Sequence, residues 1–374
     1  MTEPTPPLKH LILLGAGHAH LQLLAIWAAH PLAGVQVTLV SPHPRQLCSG
    51  MVPGFVAGHY FLEDCAVALE PLLVNSGIHW LPHNVIGLDA NDRTLMLDDD
   101  SVLNYDWLSI NTGTVQDRQH IEQALPGARE YGLFMRPTEA FATLWPRVTE
   151  LAQSHTLRVA VLGADTVGIE LAMAIRHRLP TATVTLITGG AALAASYPSA
   201  VQQRLTKALQ QRDITVLTDL AVGIQAGEVS LAQGPPLACD VPVIAMAARA
   251  PAWLKDSQLA LDANGFIAVD ACQRATGHPQ VYAAGSVCRR VDQPRQHSGI
   301  FTERTGAVLA KNLTAVVAGT PPSPYPPTNK SLHLLTCGGQ EAIASWGSFA
   351  LQGQWVWRLK NWFDRSFIKR YRRG

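Results

Sequence analysis

Two glycine-bearing stretches of the chain have the residue types and the spacing to hold a dinucleotide. The first is Gly15-Ala16-Gly17-His18-Ala19-His20, directly after the apolar run HLILL. The second is Gly163-Ala164-Asp165-Thr166-Val167-Gly168, directly after VAVL. In the pattern G-x-G-x-x-G, one glycine makes the strand-to-helix turn and the next lets the main chain approach a pyrophosphate. The last lets the helix press on the strand. The anion then rests on amides at the positive end of the helix dipole. Each stretch breaks the pattern once: His20 fills the last place of the first, and Asp165 the middle place of the second. Taken alone, a broken pattern is also any tight turn of an α/β protein. Asp165 has its own structural reading, because aspartate caps helix N-termini well and favours the helix dipole.

Both turns open a β-turn-α-β unit. The first continues into VQVTLVS (35–41) and the second into TVTLIT (183–188). A helical pattern over 199–212, a strand ITVLTD and a hairpin near Gly227 follow. Strands alternating with helices predict parallel sheets covered on both faces. The two openings lie about 148 residues apart, which suggests two dinucleotide-binding domains rather than a short repeat. The expected fold class is α/β, with two Rossmann-like domains (three-layer, parallel sheets) and a small C-terminal segment.

Charged residues make up 15% of the chain and hydrophobic ones 47%, against roughly 25% charged in an average soluble protein. So little charge suits a homodimer, a large cofactor or a membrane contact. A net charge of +1 makes no case for nucleic acid. The six cysteines include no C-x-x-C, which argues against a zinc site or a sequence-local redox disulfide, so no metal is expected. No run of about 18 apolar residues suggests a membrane span, and the opening MTEPTPPLKH does not read as a signal peptide. The expected location is cytoplasmic. After the proline-rich TPPSPYPPTN, residues 353–374 hold seven Lys or Arg and one acid. Trp355, Leu359, Trp362, Phe363 and Phe367 are spaced to share one helical face. Such a helix lies in anionic headgroups, on the inner face of a membrane, or packs on a domain with its charges in water.

The stretches GAGHAHLQLL, VTLVSPHPRQLCSGMVPGFVAGHY and HPQVYAAGS together resemble the two-dinucleotide-binding-domain flavoproteins of the pyridine nucleotide-disulfide oxidoreductase superfamily. Within it, the chain is most similar to the type II NADH dehydrogenase-like branch, close to the flavoprotein module associated with selenide, water dikinase. The resemblance implies an FAD domain from residues 1–115 and 256–320, an inserted NAD(P)-type domain over 116–255, and a connector with an amphipathic segment over 321–374. It further implies electron transfer from a donor through FAD to a quinone-like or other small acceptor. Carried over by position, Gly15, Gly17, His18, Ala19 and His20 would face the FAD pyrophosphate, and Ser41 and Pro42 the adenosine. Cys48, Ser49 and Gly50 would approach the isoalloxazine, and Val85 the adenine. Thr112 and Gly113 would close the first flavin half, and Gly285 and Ser286 would meet the ribityl chain. Ser298, Gly299 and Ile300 would meet the pyrimidine end.

The chain also departs from that branch. Ser286 stands where the family has an aspartate, which leaves a neutral hydrogen bond in place of a stronger charged one. In the second domain Asp165 sets a carboxylate against a pyrophosphate. At about 4 Å this repulsion costs roughly 1 to 4 kcal/mol, depending on the local dielectric. Met246 and Ala247 replace the usual Thr-Gly, and Thr188 ends the strand where an acid would mark NAD. Gly163 and Gly168 keep the turn, so the fold is expected to persist while NAD(P)H binding is doubtful. Three residues are candidates for chemistry. His297 stands near the flavin position that the family gives to lysine, where reduced flavin is negatively charged. Glu170 either reaches the nicotinamide and flavin edge or only serves a helix dipole. Cys48 is either a nucleophile toward sulfur or selenium compounds, with Cys337 as a distant partner, or a small core residue. Three readings stay open: the electron-transfer flavoprotein, a sulfide:quinone oxidoreductase-like enzyme acting through Cys48, and a redox-inactive scaffold.

Overall fold

The computed structural model describes residues 8–74, 76–246, 248–293, 302–326 and 331–372. The opening strand, Lys9–Leu14, is apolar over its last four residues, and those four are buried. A strand enclosed on both faces has no need of alternation. It sits inside an eight-stranded sheet and pairs in parallel with Val35–Val40 on one side and Trp107–Ile110 on the other. Beyond Trp107–Ile110 lies His278–Ala283, also parallel. One sheet therefore takes strands from both ends of the chain. The helix His18–Ala29 is apolar nearly all round, and it is held between this sheet and the helix Thr302–Val317. The two helices cross so closely that a Cβ on Gly306 would meet Ala19 O at 2.8 Å.

The second sheet has five strands in the order Leu133–Phe134, Val241–Ile244, Arg158–Leu162, Thr183–Ile187 and Thr215–Leu217, all parallel. The helix Thr166–Arg178 leaves its central strand. This is the α/β architecture that the alternating pattern implies. Small antiparallel sheets, Val85–Asp89 with Thr94–Leu97 and Val102–Asn104 among them, hang from the two cores.

The end of the chain differs from its sequence reading. It is a third unit, in which strands Leu332–Thr336, Ala342–Trp346 and Phe349–Gly353 form an antiparallel sheet backed by the helix Gln354–Arg372. The helix is also turned from the face that apolar spacing picks out. Val356, Lys360, Phe367, Ile368 and Tyr371 are buried, whereas Leu359 and Phe363 are only half-covered by the small sheet. Trp355 and Trp362 stand 53% and 61% exposed. The physical reason is Lys360. Its ammonium is satisfied inside the protein, so the buried stripe runs through a charge that a count of apolar residues skips.

No helix among the described residues is long and apolar enough to cross a membrane. The rotation of the last helix is open to test by urea unfolding. Phe367→Ala, which empties a core position, should cost about 3 to 5 kcal/mol. Trp362→Ala should stay within about 0.5 kcal/mol. Equal costs would contradict this packing.

Candidate functional site

The first turn closes on a residue that the glycine pattern does not name. Asn111 follows the strand Trp107–Ile110 and is buried. Its Oδ1 accepts from the amides of Ala19 (3.1 Å) and His20 (3.2 Å), and its Nδ2 donates to Ala284 O at 2.7 Å. Its own carbonyl accepts from Gly17 N at 3.2 Å. A Cβ on Gly17 would lie 2.4 Å from that Oδ1, so glycine is required here by the protein's own side chain. Gly15 has φ +83°, and a Cβ there would meet the Asn111 carbonyl at 2.8 Å. Asn111 thus joins the three strands that converge on this turn.

His20 corrects its sequence reading. It is fully buried behind the turn, with Nε2 2.8 Å from Ser109 Oγ and Nδ1 against Gly15 O. It braces the loop from behind rather than facing a phosphate. Burial lowers its pKa to about 4, opposed in part by the Gly15 contact.

The turn fits a dinucleotide. The amides of Ala16 and His18 bond to no described residue, and they stand at the positive end of a twelve-residue helix. The Thr112 hydroxyl is buried without a partner among the described residues. Gly113, at φ +75°, abuts Ser286, and Gly285 and Ser286 open a short turn beside Asn111. Ser41 is buried at the end of the second strand, with Pro42 next to it and Val85 half-buried at the start of its own strand. Residues expected at FAD from both chain halves, Gly15, Gly17 and Gly113 from the first and Gly285 and Ser286 from the second, therefore meet around Asn111. His297, Ser298, Gly299 and Ile300 lie outside the described residues.

The loop Cys48-Ser49-Gly50-Met51 runs across the mouth of this region, with Ser49 and Gly50 exposed and Cys48 and Met51 buried. Cys48 Sγ lies 3.5 Å from His18 Nε2. Lys360 reaches in from the last helix and donates to Gly50 O (2.7 Å) and to Asp364 Oδ2 (2.6 Å). Burial opposes its charge, but Asp364 and Glu170 outweigh burial and raise its pKa. Glu170, in the first turns of the second-domain helix, accepts from Thr336 N (2.7 Å) and Thr336 Oγ1 (2.8 Å) through Oε1. Burial raises the carboxyls of both Glu170 and Asp364, with Lys360 pulling the other way. Lys360 thus bonds one of the two carboxyl groups and only biases the other through its field, so burial leaves the Glu170 carboxyl favouring its protonated form. Sequence reasoning missed Asn111, Thr336, Lys360 and Asp364. Only the i, i+4 spacing of Lys360 and Asp364 offered a signal.

The second turn keeps its glycines for packing. A Cβ on Gly163 would meet Ala245 O at 2.4 Å, and one on Gly168 would meet Gly163 O at 2.4 Å. Asp165 occupies the N-cap position, but its exposed carboxylate takes none of the helix amides. The capping alternative is therefore not realised, and among the described residues the carboxylate has no hydrogen-bond partner at the mouth of the turn. The loop after Thr183–Ile187 folds back over it, with Ala194 N donating to Ala164 O at 2.9 Å. The Thr188 hydroxyl is buried and unpartnered among the described residues. Met246 is half-buried, and Ala247 lies outside the described residues.

Comparison with known proteins gives this geometry its family. The model of the pyridine nucleotide-disulphide oxidoreductases matches residues 9–301. The chain belongs to that family. A relative named oxidoreductase ptaL, from Pestalotiopsis fici, is 24% identical and covers 92% of this chain and 94% of its own. The demethylphylloquinone reductase NdbB of Synechocystis is also 24% identical, over 90% and 87%. The solved sulfide:quinone oxidoreductase of Aquifex aeolicus shares the fold at a TM-score of 0.78 with 17% identity, covering 97% of this chain and 91% of that one. The protein is thus an FAD-dependent oxidoreductase of that family, and it is similar to an NADH dehydrogenase-like protein of Mycobacterium tuberculosis, 26% identical over 67% of this chain and 65% of that one.

The bracing role of His20 has a pH signature. A histidine whose folded pKa is depressed to about 4 binds fewer protons than the unfolded chain between about pH 4 and 6.5. Its contribution is complete above that window and is lost as pH falls through it. Lowering the pH from 7 to 5 should cost about 2 kcal/mol through this residue. Urea unfolding of His20→Asn should show that share of the acid loss removed; an unchanged pH slope would contradict the assignment.

Proposed function

We propose that the protein passes electrons through FAD to a quinone-like or other small acceptor, works at a membrane surface, and has a weakened grip on nicotinamide. The observation that carries this reading is the group of buried Lys360 with half-buried Glu170 and Asp364, beneath the exposed Ser49–Gly50 loop. Reduction of a quinone-like molecule consumes protons as well as electrons. An isoalloxazine bound against the loop would supply two-electron chemistry between donor and acceptor. The chain's own residues do the rest. Lys360 fixes the Gly50 carbonyl, and so the shape of the loop. Glu170 uses one oxygen for Thr336 and keeps the other to hold a proton for the acceptor. His297 is the residue that would stabilise negative charge. The relative named demethylphylloquinone reductase supports a quinone as the acceptor.

The donor is the finer question. Asp165 places an uncompensated carboxylate where a pyrophosphate would approach, and its exposure puts the repulsion at the low end of the range, about 1 kcal/mol. Asp165→Gly should therefore tighten NADH or NADPH binding about fivefold, read by fluorescence titration of the holoprotein. A change below twofold would remove the carboxylate from the account. Anaerobic rapid mixing of the yellow protein with NADH, NADPH and sulfide would show which donor bleaches the flavin. Bleaching by none would overturn the electron-transfer reading. Bleaching by sulfide alone would favour the second reading, oxidation of a sulfur or selenium compound through Cys48, which rests on the contact between Cys48 and His18.

Membrane contact is read from the outward face of the last helix. Trp355 and Trp362 stand out beside Arg358, Arg365, Lys369 and Arg370. Trp346, Phe349 and Leu351, exposed on the sheet face that carries the helix, extend the apolar surface. Aromatic residues ringed by basic ones suit an anionic bilayer surface. The double variant Trp355→Ala, Trp362→Ala should lose most of its flotation with anionic liposomes while keeping its fold. Unchanged flotation would end the membrane reading. Deleting the helix is a poorer test, because its inner face belongs to the core.

A further inference from the structure

The hairpin Arg45–Leu47 with Ala66–Ala68 sets two cysteines opposite one another that the sequence keeps 17 residues apart. Its register pairs Arg45 with Ala68, Gln46 with Val67 and Leu47 with Ala66. One step further along, Cys48 comes opposite Cys65: Cys48 N donates to Cys65 O at 2.7 Å, while Cys65 N turns to Leu62 O and Met51 N to Cys48 O as the strands part. Directly opposed residues of an antiparallel pair have Cα atoms about 4.5 to 5.5 Å apart and side chains on the same face. That separation falls in the range a disulfide spans, about 4.4 to 6.8 Å. Both thiols are free, and both lie in the core cluster under the opening helix. The remaining cysteines lie elsewhere: Cys239, Cys288 and Cys337 belong to three other clusters, and Cys272 rests against Pro322 O. Cys337 is therefore not set beside Cys48, and the partner is Cys65.

We propose that Cys48 and Cys65 form a dithiol–disulfide couple that ties the Ser49–Gly50 loop to the hairpin when it is oxidised. The oxidant is a low-molecular-weight disulfide. Cys48 is the sulfur nearer the surface, next to the exposed Ser49, and it attacks one sulfur of that disulfide to release a first small thiol. Cys65, almost wholly enclosed, then attacks the Cys48 sulfur of the mixed disulfide and releases the second small thiol. Two protein thiols and one small disulfide become one protein disulfide and two small thiols, and the two thiol protons leave on the products. His18 Nε2, 3.5 Å from Cys48 Sγ, lies within reach of the first proton. Burial pushes both thiols up to about 12, so few are thiolate near neutrality. The couple consequently answers sustained oxidation rather than single turnovers.

The test is a redox titration of the full-length, FAD-loaded protein in mixtures of reduced and oxidised glutathione. Each sample is denatured, alkylated and mapped by mass spectrometry. The expected result is that two of the six thiols disappear together in one two-electron step, with a linked peptide joining Cys48 to Cys65. In Cys65→Ser, Cys48 should instead stop at the mixed disulfide with glutathione. All six thiols remaining alkylatable across the titration would overturn the proposal, as would a link from Cys48 to any other cysteine. The wild-type titration decides the matter even if the variant does not fold. The readout needs no donor or acceptor, so it stands apart from the electron-transfer reading.

Discussion

The site depends on one side-chain amide. Asn111 has a carbonyl oxygen that accepts from two helix amides and an NH2 group that reaches the other half of the sheet. Without it, the second and third amides of the opening helix and the Ala284 carbonyl would be buried and unpaired. Each such group costs about 1 to 3 kcal/mol. The same amide explains both neighbouring glycines, since Gly17 and Gly285 would each drive a Cβ into it. The turn is therefore a cradle built from within, and what it leaves open are the amides of Ala16 and His18.

A second constraint is the buried ammonium of Lys360. Removing an ammonium ion from water costs several kcal/mol even after relaxation. Here the charge is met by a carboxylate, a loop carbonyl and the field of Glu170. Buried ion pairs are weak arguments for stability but good ones for specificity of arrangement. This one fixes where the last helix lies relative to the Gly50 loop, and so couples the far end of the chain to the mouth of the cofactor region.

Much of the fold was legible in the residues. Apolar runs ending in glycine turns mark both parallel sheets, because such runs need burial on two faces. The terminal three-stranded sheet was hidden, since its strands are short and three of its large apolar side chains, Trp346, Phe349 and Leu351, face outward. Site residues read from the glycine pattern fell at the turns as placed. His20 did not face the ligand side, because a buried imidazole can replace a third glycine only by bonding behind the loop. Asn111, Thr336 and the bond from Lys360 to Gly50 were illegible for a common reason: each reaches across more than ninety residues of sequence, to a partner that no local spacing announces. The opposition of Cys48 and Cys65 depends likewise on hairpin register rather than on any motif.

The third unit touches both nucleotide-binding domains at once. Thr336 holds Glu170 of one, Gly338 O accepts from His59 Nε2 of the other, and Leu335, Cys337 and Ile343 share a core with Val52 and Val56. A domain clasped in this way is poorly suited to swivelling. Domain closure around a donor would have to break these contacts, so selectivity among donors is better set by shape and charge than by a clamping motion.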